Sequence, residues 1–483
     1  MHFEIPAASE ADLWAHQEFA ALACSDARRK RRFLRVASDF LRNPTASVPA
    51  ACGDWAGTKA CYRLFDHEEI RADSILEAHR AALLARLDAS QSTQPLLFIQ
   101  DTTALNFGTR ESLEGLGSIG TVGATKVPGI FVHGHLVVDT LGEVHGLAGA
   151  DIYTRQERPS DAPAGQRNRL PLEQKESQRW IDGWQEAQKL WEQLGGKRPV
   201  LVVADREADI YEFLATCQQT RAHRGGGAGL LIRSKHDRKL ADGSGSLWQT
   251  QMALPLHSAL EVELPRGKQG LQARTAVLEV RAGRVRLAVP HDKKRYFGMS
   301  ESLELWALEV IERQPPAGVE AVRWRLLTTE AISNKEDARR LAGWYALRWR
   351  IEVMHRILKT GCRVEGRQAR TVEKLKAFIA LDLVVAVRLL GLIWQARVNP
   401  QGSCASWLER DEWEALSIHG SGGGPAPDQA PDNQQAVRMI AKLGGFLGRK
   451  GDGDPGPEVL WRGLAKLRTL TEAWILFRSG RCG

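Results

Sequence analysis

Apolar and polar positions alternate along this chain with two different periods, and the switches between them mark its elements. From Ser333 to Gly361, SNKEDARRLAGWYALRWRIEVMHRILKTG, the apolar residues recur at helical spacing. At about 100° per residue, Leu347, Ile351, Met354 and Leu358 fall on one stripe facing a core. Ser333 with Glu336 reads as a capping box and Gly361 as a stop, which predicts one long helix. A second stripe, roughly 120° round that helix, carries Tyr345, Arg348, Glu352 and Lys359. Upstream, LLFIQ and PVLVVA are unbroken apolar runs that lead into Asp101 and Asp205. Such runs read as strands buried on both faces, whose ends are where ligands collect.

The other segments follow the same signals. Residues up to about 70 read as helical, as does Gln174 to Gly195. GLGSIGTVGATKVPG reads as a glycine-rich loop before two strands, IFVHGHLVVD and EVHGLAGADIYT. It is no phosphate loop, because no Lys-Ser/Thr pair follows to open a helix. Gly227 to Leu240 reads as a strand followed by cations, and about 240–325 as short alternating strands, a β-rich insertion. Leu375 to Trp394 is apolar enough to span a bilayer, but Asp382 and Arg388 inside it point to a buried helix. His419 to Gln435 is Gly/Pro-rich and reads as a flexible linker before two amphipathic helices.

A chain of 483 residues has room for about three domains. Lys and Arg exceed Asp and Glu by 66 to 58, a net charge of +8, so clustering matters more than the total. The cluster is Arg28 to Arg35, RRKRRFLR, behind a plausible N-cap at Ser25-Asp26. That geometry suits a helix laid on DNA, with Arg28 and Arg32 as contacts. Seven scattered cysteines without a CxxC pair suit a reducing cytoplasm and argue against a disulfide frame or zinc site. The opening MHFEIPAASEADLWAHQEF has no apolar signal segment, so a cytoplasmic protein without a membrane partner is expected.

Each candidate also has an ordinary structural account. Arg348 and Glu352 suit an i,i+4 pair worth a few tenths of a kcal/mol. Asp205 suits a helix N-cap, and Glu207 and Asp209 suit first-turn acids that complement a helix dipole. Trp324, one of 15 tryptophans, suits a strand core.

The spacing Y-x2-R-x3-E-x6-K, set in YALRWRIEVMHRILKTG, resembles the YREK signature of bacterial cut-and-paste DDE transposases. These are the Tn-five-like enzymes of insertion-sequence family four. QDTT around Asp101 resembles the family's first catalytic motif, ADREADIY the second, and GDWAGTKACYRLFD part of its end-binding domain. The order of elements is that of an α/β fold with a ribonuclease-H-like catalytic core and a β-rich insertion, flanked by α-helical N- and C-terminal domains. The expected domains are 1–70 for end binding, 71–370 for catalysis and 371–483 for dimerisation.

The resemblance implies that Asp101, Asp205 and Glu352 are the catalytic, metal-binding carboxylates. It implies that Tyr345, Arg348 and Lys359 hold DNA phosphate, with Arg63, Arg233 and Lys235 as further DNA contacts. Trp324 stands where the family stacks a flipped base during hairpin formation. Three converging carboxylates repel one another unless cations intervene, and two divalent ions about 4 Å apart serve in-line phosphoryl transfer. All-oxygen donors imply Mg²⁺ or Mn²⁺. The expected partners are double-stranded DNA, as element ends and as target, and a second copy of the chain. The rival readings are another ribonuclease-H-like nuclease, such as a resolvase, and a non-catalytic DNA-binding inhibitor of transposition.

Overall fold

Five helices come first: α1 (Glu10–Glu18), α2 (Ala27–Arg42), α3 (Val48–Cys52), α4 (Trp55–Phe65) and α5 (Ala72–Ala89). The computed structural model describes residues 9–108, 113–123, 125–155, 172–254, 256–264, 274–291, 302–449 and 452–478. The opening MHFEIPAA and parts of the insertion lie outside these residues. Asp26 caps α2 by accepting from the Arg28 amide at 2.7 Å. Phe19, Phe33, Phe40 and Phe65 fill the core between these helices.

Among the described residues, ten strands form one mixed sheet: β1 (Leu96–Asn106), β2 (Gly117–Val122), β3 (Thr125–Asp139), β4 (Val144–Tyr153), β5 (Val200–Ala204), β6 (Gly229–Arg233), β7 (Leu256–Leu264), β8 (Arg274–Ala288), β9 (Ser302–Glu312) and β10 (Arg323–Thr328). Its centre runs β4-β3-β1-β5-β6, with β3 antiparallel to β1 and β4, and β5 parallel to β1 and β6. That order and polarity are the ribonuclease-H-like arrangement. The insertion strands continue the same sheet: β10 pairs with β6, and β9, β8 and β7 follow outward.

Helices α6 (Gln178–Gln193), α7 (Tyr211–Arg224) and α8 (Leu247–Ala253) cover one face of the sheet. Helices α9 (Lys335–Ala346), α10 (Trp349–Arg356) and α11 (Val372–Val398) cover the other. The chain closes with α12 (Arg410–Gly420), α13 (Asn433–Leu443) and α14 (Pro457–Arg478). Successive strand residues face opposite sides. Thus Leu96, Phe98, Val200 and Val202 meet α6 and α7, while Leu97, Ile99, Leu201 and Val203 meet α10 and α11.

The apolar α11 is a buried core helix. Its Asp382 pairs with Arg367 at 2.7 and 2.8 Å, and both are buried. Arg367 also donates to the carbonyl of Ala46, beyond α2, at 2.7 Å.

Three local expectations are corrected. The helix from Ser333 is capped by Asn334, whose side chain accepts from the Glu336 and Asp337 amides. It is not one piece. Three-residue bonds from Leu347 to Trp344 and from Arg348 to Tyr345 tighten the chain between α9 and α10, and Ile357–Gly361 widens into a π-type turn. The glycine-rich stretch is no loop but β2 and the start of β3. Glycine serves there because a Cβ on Gly129 would lie 2.3 Å from the Leu105 carbonyl oxygen.

Candidate active site

The parity of the strands places the carboxylates. Asp101 continues the Leu97, Ile99 series on β1, and Asp205 continues the Leu201, Val203 series on β5. Both therefore face α10, where Glu352 sits. β1 does not end at Asp101, as the apolar run alone suggests, but continues paired with β3, Asp101 opposite Gly134. On its other flank β1 pairs with β5 only from Leu96 to Ile99. Beyond that, β5 gives way to Asp205, so one side of β1 opens into a cleft. Asp205 does not lead straight into a helix. It accepts from the Glu207 amide at 2.8 Å and starts a short turn, Arg206–Ala208, before α7.

Arg348 binds the cluster together. Its guanidinium donates to Glu352 at 2.5 Å and lies 3.5 Å from Asp101 Oδ2, while the Thr102 amide donates to Asp101 Oδ1 at 2.8 Å. Burial pushes the Asp101 carboxyl up to about 7; Arg348 opposes the rise, and Asp205 and Glu352 add to it. Burial works against the charge on Arg348, but Tyr345, Glu352 and Asp101 outweigh it and raise its pKa. Tyr345 is buried, and burial raises its phenol pKa against the pull of Arg348 and Arg233. Arg233 emerges beside Asp205, because β5 and β6 stay in register up to Ala204 and Ile232.

Trp324 on β10 is 6% exposed, its ring 5.3 Å from that of Tyr345, so no base reaches it without movement of its neighbours. Lys359 lies in the π-type turn, half-buried, and burial lowers its pKa. Lys235 is exposed in the segment after β6. Arg28, Arg32 and Arg63 stand exposed on α2 and α4, among the N-terminal helices rather than in the cleft. Arg29 and Lys30 are drawn aside to Glu69 and to the Ala20 carbonyl, which leaves Arg28, Arg31, Arg32 and Arg35 as one cationic face.

One residue escaped the sequence reading and one was assigned another role. Trp349 is 44% exposed, one helical turn before Glu352, and spacing from Glu352 would have found it. Asp209 is buried rather than a first-turn acid, and its partners lie after β6.

Comparison with known protein families finds a match to the family described as a transposase DDE domain over residues 120–387, more than half of the chain. The chain belongs to the DDE transposases. A transposase DNA-binding family matches residues 11–70, and a transposase Tn5 dimerisation domain matches residues 384–481. This transposase therefore binds DNA, cleaves and transfers its strands, and forms a homodimer. The DDE match contains Asp205 and Glu352, and Asp101 lies ahead of its first residue.

The DDE family implies dependence on a divalent metal ion. The donors around the transposase cleft suit one: they are carboxylate oxygens, and burial, with Asp205 and Glu352 adding to it, drives Asp101 toward neutrality. Among the described residues no three Asp, Glu, His or Cys side chains gather tightly enough to enclose an ion, and Arg348 stands between Asp101 and Glu352.

Proposed function

We propose that Asp101, Asp205 and Glu352 are the catalytic carboxylates of this transposase and hold two divalent ions, Mg²⁺ or Mn²⁺. What supports the reading is geometry: Asp101 and Asp205 continue the strand series that faces α10, and Arg348 lies 3.5 Å from Asp101 and 2.5 Å from Glu352. A buried carboxyl that senses Asp205 and Glu352 marks the place where added positive charge is worth most. Bound there, the ions would supply a water or DNA 3′-hydroxyl of lowered pKa and stabilise the leaving 3′ oxygen. The chain's own residues do the rest. Arg348 stands between Asp101 and Glu352 and opposes the rise in the Asp101 pKa, and Tyr345, Arg348, Arg233 and Lys359 form the polar wall against which the scissile phosphate rests.

In this reading the YREK residues work as a unit, residues 1–70 grip the element's terminal repeats, 71–370 cut, and 371–483 pair two copies. The protein works in the bacterial cytoplasm on nucleoid DNA. The first nick is followed by a hairpin on the element end, with one base extruded onto Trp324 after local opening, a stack worth about 1–3 kcal/mol.

The test is strand cleavage on the element's own ends. Asp101→Ala, Asp205→Ala and Glu352→Ala should each abolish cleavage while end binding stays within a few fold, and chelation of divalent ions should do the same to the unaltered enzyme. Robust cleavage by Glu352→Ala would remove the assignment. Trp324→Ala should still nick but accumulate nicked DNA in place of hairpin; equal loss of nicking and of thermal stability would mark a core residue only.

A further inference from the structure

Asp209 lies four residues beyond Asp205 and takes no part in the cleft. It is 3% exposed, and an unpaired carboxylate so placed is costly. One oxygen, Oδ2, accepts from the Lys235 amide at 2.6 Å and the His236 amide at 2.9 Å. The other, Oδ1, faces the Arg238 guanidinium at 2.5 Å, and Arg238 also donates to the Asp209 carbonyl at 3.1 Å. Every one of these contacts ties the segment after β5 to the segment after β6.

The tied segment carries Lys235, Arg238 and Lys239 against a single exposed acid, Asp237, which accepts from the Trp248 amide. Lys235, His236 and Lys239 are exposed within it, while Ser234 and the Arg238 side chain turn inward. It leaves the sheet beside Asp205, because β5 and β6 run in register to that edge. A surface loop that carries a long lysine is ordinarily mobile, and ordering it on binding costs affinity.

We propose that Asp209, through Arg238 and the two amides, is a positioning residue that presets the Lys235–His236 segment to receive a DNA phosphodiester next to Asp205. The inference rests on the proposed reading of this cleft as the DNA-cutting site and of Lys235 as one of its DNA contacts, as expected in Sequence analysis. Asp209 touches no reacting atom. Its effect on DNA passes through the segment whose phosphate-binding charge is Lys235, and that distinguishes it from a residue that merely holds the fold.

The experiment is a double-mutant cycle on the full chain, with affinity for an element-end duplex measured by fluorescence anisotropy over a series of salt concentrations without divalent metal. The variants are Lys235→Ala, Asp209→Asn, Asp209→Leu and each Asp209 change combined with Lys235→Ala. In Asp209→Asn an amide donor would face the Arg238 donors, so this variant loosens one side of the brace while keeping the shape. Melting temperatures are recorded for all. If Asp209→Leu does not fold, Asp209→Asn carries the test.

The expected result is that Lys235→Ala weakens binding and lowers the salt slope by about 0.9. Asp209 changes should weaken binding by about 2- to 12-fold, the cost of ordering one long side chain, and add nothing once Lys235 is gone. Losses that add, or wild-type binding by folded Asp209 variants when Lys235→Ala binds weakly, would overturn the positioning role alone. Wild-type binding by Lys235→Ala would overturn both the positioning role and the DNA reading beneath it.

Discussion

Glu18 and Asp101 are both carboxylic acids withdrawn from water, yet their surroundings push them in opposite directions. At Glu18 burial raises the pKa, but hydrogen bonds and charge from His79 and Arg86 outweigh it and hold the group at about 2. At Asp101 burial again raises the pKa, Arg348 at 3.5 Å offsets only part of it, Asp205 and Glu352 add to the rise, and the group reaches about 7. The first is structural and the second is poised for a cation. The stability consequence at Glu18 has a definite sign. Its folded pKa lies below the ordinary 4.5, so its contribution is present above about pH 4.5 and is lost as the pH falls toward 2. The loss is on the order of 3 kcal/mol. Glu18→Gln should therefore flatten the acid limb of thermal stability over that window. Melting curves from pH 5 to pH 2 check this, and an unchanged acid limb would remove Glu18 as the titrating group.

At the scale of elements, α2 does two tasks with opposite faces. Phe33, Val36, Ala37 and Phe40 are buried, and Arg28, Arg31, Arg32 and Arg35 face solvent. If that face lies on DNA, log affinity for element ends should fall with log salt by about 0.9 per phosphate contact. Replacing Arg28 and Arg32 by alanine should lower the slope by about 2. A salt titration of binding that leaves slope and affinity unchanged would return these arginines to a solvated surface.

Helices α13 and α14 show a different constraint. A Cβ on Gly463 would lie 1.8 Å from the Ile440 carbonyl oxygen, and one on Gly444 would lie 1.7 Å from that of Val459. The two helices touch backbone to backbone at their crossing. Gly463→Ala should force them apart and lower the melting temperature, because the obstacle is backbone with no flexible end to yield. A thermal scan with the wild-type midpoint would contradict that close crossing.

At the scale of the whole molecule, the end-binding helices, the glutamate helix and the dimerisation region meet on α11. Phe65 stacks on Phe378 of α11 with ring centroids 3.9 Å apart, and buried Arg367 joins Asp382 of α11 to the carbonyl of Ala46. Outward from there, α14 ends with Ile475 44% and Phe477 71% exposed, in the region of the dimerisation match. Apolar side chains left in water on a dimerisation element are the natural core of the contact between copies. Phe477→Asp should weaken the homodimer on DNA at least tenfold while leaving the monomer's stability unchanged. Mass measurements of the protein–DNA complex across concentration check this; a dimer of undiminished affinity would place the interface elsewhere.

Much of this protein follows from local periodicity, and local periodicity is what a sequence displays. Alternation along two apolar runs put Asp101 and Asp205 on one face of a sheet, and helical spacing grouped Tyr345, Arg348 and Glu352, although the structure divides them between α9, its junction and α10. The basic face of α2 was legible for the same reason, since its arginines are neighbours in sequence as well as in space. Contacts between distant segments decided the rest. Arg348 meets Asp101 across 247 positions, and that meeting, with Asp205 alongside, sets the charge of the site. Asp209 reads as a helix-dipole acid until β6, brought alongside β5, delivers the amides of Lys235 and His236 to it. Trp324 suits both a strand core and a stacking platform until Tyr345 packs against it, and GLGSIG reads as a loop until β3 offers it a ladder of hydrogen bonds. Spacing along a chain fixes which way a side chain points; only the folded neighbours fix what it meets there, and burial, pairing and pKa depend on the meeting.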